Sequence, residues 1–163
     1  ITLVDTGPNT MTGGRIRRIQ PYLDPVEPFC LTYGDGVGDI DVTAEIAFHK
    51  NQKRLATMAV VSPPGRFGAA VLDGDRVVSF QEKPLGDGGK INAGFFVCDP
   101  EVLKYIGDDS TVWEQEPLHQ MSEDNQLSAW VHEGFWQPMD TLRERKLLDQ
   151  LLETGQAPWV TWE

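Results

Sequence analysis

Positive charge is scarce in this chain of 163 residues: 14 Lys and Arg stand against 25 Asp and Glu, a net charge of −11. Such a surface repels a phosphate backbone or an anionic bilayer, so neither nucleic acid nor membrane is expected as a partner. Only two cysteines occur, Cys30 and Cys98, each inside an apolar run. They read as buried free thiols in a reducing, cytoplasmic setting rather than as a bridge or a metal pair. His132 reads as a structural or surface residue, with no Cys or His partner at metal-ligand spacing. No apolar run approaches the roughly 20 residues of a membrane span, and no basic-plus-apolar leader is visible. Hydrophobic residues at 40% are enough to build a core, and the length suits one domain over 1–163.

What is present centres on Phe29-Cys30-Leu31-Thr32-Tyr33-Gly34-Asp35-Gly36. The apolar run reads as a buried strand of a parallel sheet, and in open α/β sheets ligands bind just beyond the carboxyl ends of the strands. Asp35 falls there, and Gly34 and Gly36 would let the backbone approach a ligand closely. The plainer alternative is a strand-to-helix turn, where Asp and Gly are also the usual residues.

Upstream, residues 1–5 read as a strand in progress, so the chain as given is expected to begin part-way through a fold. Gly13-Gly14-Arg15 could offer amides and a guanidinium to a phosphate, but this ranks below a plain loop, and no P-loop spacing is present. Downstream, Asp41 is placed to cap a helix over 42–50 with Ile46 and Ala47 facing the core. Asp39-Ile40-Asp41 also resembles the metal-binding pair of many glycosyltransferases, which ranks below the capping role. A buried strand is expected over 55–61, then a rigid turn projecting Arg66. Asp73-Gly74-Asp75 between two apolar runs signals a hairpin. Its second arm leads to Glu82-Lys83-Pro84, where the proline ends the strand. Residues 91–98 form a further strand interrupted by Asn92 and Gly94, and a polar residue there needs a partner. Short helices follow Asp99-Pro100 and Trp113, and a strand is expected over 127–132.

The second unusual stretch is Phe135-Trp136-Gln137-Pro138-Met139-Asp140-Thr141. Thr141 and Glu144 fit a capping box for a helix carrying a stripe of Leu142, Leu147, Leu148, Leu151 and Leu152. Asp140 either assists that helix start or supplies a second carboxylate beside Asp35. Two hard oxygen ligands plus substrate phosphates would suit Mg²⁺.

These segments, with Leu3-Val4-Asp5-Thr6-Gly7, Met11-Thr12-Gly13-Gly14-Arg15, Pro63-Pro64-Gly65-Arg66-Phe67-Gly68, Trp113-Glu114-Gln115-Glu116-Pro117 and Ala157-Pro158-Trp159, resemble the sugar-phosphate nucleotidyltransferases, most closely their glucose-1-phosphate cytidylyltransferase branch. The resemblance implies an α/β, Rossmann-like fold with a mixed, mostly parallel sheet flanked by helices. It implies that CTP and glucose-1-phosphate give CDP-glucose and pyrophosphate, by in-line attack of the sugar phosphate on the α-phosphorus. By the same resemblance Asp35 and Asp140 hold Mg²⁺ and, with Lys83, act as the catalytic set. Thr12, Arg15 and Gly34 contact the nucleotide, while Glu82, Asn92 and Gly94 line the sugar pocket. A homo-oligomer is implied as well. The family's opening Gly-Gly-x-Gly-Thr-Arg loop and its Lys-Pro-Lys-Pro segment are not found in this sequence. The chain therefore corresponds to the C-terminal two-thirds of the family fold, and whether it is an enzyme by itself stays open. The alternative is an inactive module that binds sugar phosphate or nucleotide, or serves an oligomer.

Overall fold

The computed structural model describes residues 1–63, 69–81 and 89–161. In chain order it contains α1 (Thr12–Arg18), β1 (Phe29–Thr32), β2 (Gly36–Gly38), α2 (Val42–Gln52), β3 (Ala56–Val61), β4 (Ala69–Asp73), β5 (Arg76–Gln81), β6 (Ile91–Cys98), α3 (Glu116–Glu123), β7 (Leu127–Val131), β8 (Trp136–Pro138) and α4 (Leu142–Glu153). Short 3-10 turns cover Gln20–Tyr22 and Pro100–Tyr105. The main sheet has the order β1-β6-β3-β7. β1 runs antiparallel to β6. β3 and β7 run the same way, since Ala56 N bonds the Gln126 carbonyl at their starts and His132 N bonds the Val60 carbonyl at their ends.

The chain forms two compact units. The first comprises residues 1–32, 41–58 and 94–130. Its core is Ala56, Thr57, Phe96, Val97, Cys98, Val102, Trp113 and Met121, all sealed from solvent. Phe96 and Trp113 meet edge-to-face with ring centroids 5.8 Å apart, the arrangement that ring quadrupoles favour. The second unit comprises residues 33–40, 59–93 and 131–163. It holds β2, β8, the β4–β5 hairpin, α4 and the ends of β3 and β6. The hairpin turns at Gly74, whose φ of +62° suits a residue without Cβ.

Several expectations need correction. Residues 1–5 form no strand, and Ile1 and Leu3 are exposed. A strand needs a ladder partner, and none of the described residues pairs with this segment. β1 is neither buried throughout nor parallel to its neighbour. It is an edge strand whose residues alternate between half-buried and exposed, as one-sided burial requires. Cys30 therefore faces outward and is exposed, whereas Cys98 is buried. α2 is capped as anticipated, with Ala44 N donating to Asp41 Oδ1 at 2.8 Å. Its buried positions, however, are Glu45 and His49, at 1% and 2% exposure, and Ala47 is exposed. The leucine stripe of α4 buries only Leu148, while Leu142, Leu147 and Leu152 stand exposed. That helix is held instead by its capping box and by an Arg145–Asp149 pair at 3.6 Å.

Candidate active site at the β2–β8 ladder

β2 and β8 pair antiparallel in the register Gly36↔Pro138, Val37↔Gln137, Gly38↔Trp136. One hydrogen bond extends the ladder at each end. Met139 N donates to the Asp35 carbonyl at 2.8 Å, and Asp39 N donates to the Phe135 carbonyl at 3.2 Å. Asp35 directly precedes β2, and Asp140 follows β8 by two residues. An antiparallel register therefore brings both residues, 105 positions apart in sequence, to the same end of the ladder. Both side chains are exposed.

Local chemistry fixes the Asp140 side of the rim. The Thr141 hydroxyl accepts from Glu144 N at 3.3 Å, and Glu144 Oε2 accepts from Thr141 N at 2.8 Å and from Asp140 N at 3.0 Å. Thr141 is the cap, and Asp140 contributes its amide, so its carboxylate is not the capping group. The rim offers two hard oxygen donors beside a helix N-terminus. Among the described residues no group of three or more His, Cys, Asp or Glu is arranged to hold a metal ion. Two protein carboxylates fit a divalent cation only if other ligands, such as phosphate oxygens, complete the shell.

At the opposite end of the ladder, the Asp-x-Asp motif divides its labour. Asp41 caps α2, while Asp39 Oδ1 lies 3.0 Å from His132 Nε2. The same nitrogen lies 3.1 Å from the Phe135 carbonyl oxygen. A carbonyl only accepts, so the ring proton sits on Nε2. Gly134 makes room for this knot, since a Cβ there would stand 2.4 Å from Asp39 Oδ1 and 2.6 Å from His132 Cε1. Beside it lies a cavity of about 330 Å³ lined by Val61, Ser62, Lys90, His132 and Trp136. Lys90 Nζ donates to Ser62 Oγ at 3.0 Å.

The remaining anticipated residues are placed as follows. Asn92 is half-buried in β6, with its Nδ2 3.5 Å from the Tyr33 hydroxyl. Gly94 belongs to the first unit and holds φ +77°, which only glycine adopts without strain. Glu82 and Lys83 lie outside the described residues, as does Arg66. Thr12 and Arg15 belong to the first unit and Gly34 to the second. The Thr12 hydroxyl donates to Glu114 Oε2 at 2.8 Å and accepts from Trp113 N at 2.9 Å. Gly13 and Gly14 are not a loop of free amides. They lie in α1, are buried, and both donate to the Thr111 carbonyl, at 3.0 and 3.3 Å. Arg15 donates to the Thr6 hydroxyl at 2.6 Å, Arg17 to the Gly107 carbonyl, and Arg18 pairs with Asp109.

Two features escaped sequence reasoning. The Asp39–His132 pair left no signal, because its members are 93 positions apart. The buried Glu45–His49 pair did leave one, an i,i+4 spacing on a helix. His49 Nδ1 meets Thr57 Oγ1 at 2.9 Å and its Nε2 lies 3.4 Å from Asp99 Oδ1. Burial pushes the Glu45 carboxyl up to about 7.

A family model for nucleotidyl transferases matches residues 17–137, about three-quarters of the chain. The chain belongs to the nucleotidyl transferase family. It is 53% identical, over all 163 residues, to glucose-1-phosphate cytidylyltransferase of Salmonella typhi, and covers 63% of that protein. It is 35% identical over 163 residues to a probable glucose-1-phosphate cytidylyltransferase of Bacillus subtilis, again covering 63%. The chain thus spans 63% of the length of these curated relatives, less than two-thirds. Among solved structures it resembles UDP-glucose pyrophosphorylase complexed with UDP-glucose, at TM-score 0.66 and 10% identity, covering 94% of this chain and 66% of that one. It also resembles a Bacillus anthracis glucose-1-phosphate thymidylyltransferase in complex with a sucrose, at TM-score 0.63 and 16% identity, covering 96% and 64%. These likenesses show the fold: a nucleotidyltransferase α/β fold, with a mixed sheet that includes parallel strands and is flanked by helices. No helix among the described residues of this family member is long and apolar enough to cross a membrane.

Proposed function

We propose that the chain is a glucose-1-phosphate cytidylyltransferase, complete or in part, serving the reaction of CTP with glucose-1-phosphate to give CDP-glucose and pyrophosphate. The observation that supports this most is the β2–β8 ladder, which sends Asp35 and Asp140 to one rim in a chain 53% identical to such an enzyme. In this reading Asp35 and Asp140 hold Mg²⁺ together with nucleotide phosphate oxygens. When bound, the cation supplies charge neutralisation at the α-phosphate, where negative charge builds as the sugar phosphate attacks. The chain's own contribution is to hold the two carboxylates at one end of the β2–β8 ladder, where attacking and leaving oxygens would lie in line. Lys83 takes the sugar phosphate. Glu82, Asn92 and Gly94 line the hexose site, and Thr12, Arg15 and Gly34 face the nucleotide. A homo-oligomer in the cytoplasm belongs to the same reading.

Pyrophosphate release from CTP and glucose-1-phosphate with Mg²⁺, compared with UTP, dTTP and GTP, tests it directly. Release that favours CTP supports the proposal. Because the chain spans 63% of its curated relatives, the second reading is a binding module without turnover. No pyrophosphate release but retained glucose-1-phosphate binding would favour that second reading. Loss of both activities would overturn the two together.

A further inference from the structure

We propose that Asp39 and His132 are positioning residues for the carboxylate rim: they lock β2 to β8 at one end so that Asp35 and Asp140 stay side by side at the other. The role assigned to the rim rests on the function proposed above, whereas the lock itself rests on geometry alone. The ladder is three residue pairs long, and a ladder so short does not hold its register by backbone bonds alone. A slip of one residue would turn every side chain to the opposite face and move Asp35 past Asp140. Three observations place a clamp where slippage would begin. Asp39 N donates to the Phe135 carbonyl at 3.2 Å, continuing the ladder past Gly38↔Trp136. His132 Nε2 donates to that same carbonyl at 3.1 Å, and Asp39 Oδ1 sits 3.0 Å away. One acceptor oxygen thus gathers the end of β2 and the start of β8 around a single imidazole. Asp39 Oδ1 is itself buried and takes no hydrogen bond among the described residues, and the imidazole is the polar group beside it.

The glycines agree with a clamp in which space is exhausted. A Cβ on Gly134 would collide with both Asp39 and His132, and a Cβ on Gly38 would stand 3.0 Å from the Phe135 carbonyl oxygen. His132 in turn is anchored from β7, its amide donating to the Val60 carbonyl at 2.9 Å. The clamp therefore ties the short ladder to β3 within the same unit. Nothing in this arrangement touches the rim, which is why the pair acts through β2 and β8 rather than on a ligand.

Amide hydrogen exchange of the intact chain reads the lock, and Mn²⁺ titration reads its consequence. In His132→Ala and Asp39→Ala, the Met139 amide, which bonds the Asp35 carbonyl, should exchange at least about tenfold faster, with core amides of β3 unchanged. The Mn²⁺ dissociation constant should rise about 10- to 100-fold, the usual effect of a group supporting a metal ligand. His132→Gln keeps a donor within reach of Phe135 and should recover much of both losses. Unchanged Met139 exchange in both alanine variants would overturn the lock. Faster exchange with unaltered Mn²⁺ affinity would overturn its positioning role. If Asp35→Asn also leaves Mn²⁺ binding intact, the metal assignment fails instead, and the exchange result still scores the lock. Uniform acceleration across all β3 amides would mean that the pair merely stabilises the fold, and would count against the proposal.

Discussion

The indole N–H of Trp136 donates to the carbonyl oxygen of Ala93 at 2.8 Å, tying β8 to the start of β6. That bond seats the aromatic ring beside Asn92 in sequence and fixes the far end of the short ladder. Trp136→Phe keeps most of the apolar surface and removes the donor. The carbonyl of buried Ala93 then loses that partner, at a cost of about 1 kcal/mol. The urea midpoint of the variant, at unchanged slope, checks the value.

Glu45 gives a pH dependence with a definite sign. Burial raises its carboxyl from an ordinary 4.5 to about 7. The titratable groups that feel its charge are the thiols of Cys30 and Cys98. A raised acid favours folding in its neutral form. Its contribution is complete below about pH 4.5 and is lost as pH rises through 7, on the order of 3 kcal/mol in all. Thermal unfolding at pH 5.5 and pH 8 should show wild type losing stability across that interval. Glu45→Gln should flatten the slope, and an equal slope in both proteins would refute the burial account.

Gly14 and Gly34 should respond oppositely to alanine. A Cβ on Gly14 would stand 2.7 Å from both Cα and the carbonyl oxygen of Asp109, which are backbone atoms with no room to yield. Overpacking of that kind costs about 1–3 kcal/mol. It outweighs the helix-propensity gain of up to about 1 kcal/mol in α1. Gly34 has nothing within 4 Å of such a Cβ, so Gly34→Ala should change stability by less than about 0.5 kcal/mol. A drop in CTP affinity at that unchanged stability would then support close approach of the nucleotide.

Asp35→Asn and Asp140→Asn should each weaken Mg²⁺-dependent CTP binding by about tenfold or more, equivalent to about 1.4 kcal/mol. Both residues are exposed, so melting temperatures should barely move. Isothermal titration with unchanged affinity in both variants would remove the metal assignment.

Lys83→Ala should weaken glucose-1-phosphate binding more than CTP binding, because its charge is assigned to the sugar phosphate. Equal losses for the two ligands would count against that role.

Local signals in the sequence were the most legible. The capping box at Thr141 and Glu144, the cap at Asp41, the hairpin turn at Gly74 and the strand over 91–98 all depend on residues close together, and all appear in the structure. Asp35 and Asp140 drew notice because each follows an apolar or aromatic strand end, and their joint role is the proposal that the titrations above test. What sequence reasoning lost was the direction of burial. His49 looks like a surface residue until Thr57 and Asp99 arrive from β3 and the end of β6. Cys30 looks like a core residue until β1 proves to be an edge. The leucines of α4 look like a core stripe, yet capping and charge pairs let that helix form while burying only Leu148. In each case the deciding contact is long-range, and periodicity within one element carries no record of it.

The alternation of β1 also makes the two thiols chemically unequal. Cys30 is open to solvent, while Cys98 is enclosed and its thiol is pushed far above the usual range by burial. An alkylating reagent applied to the folded chain should therefore mark a single position. A fluorophore could be installed on the outer strand of the sheet without any cysteine being engineered in or out.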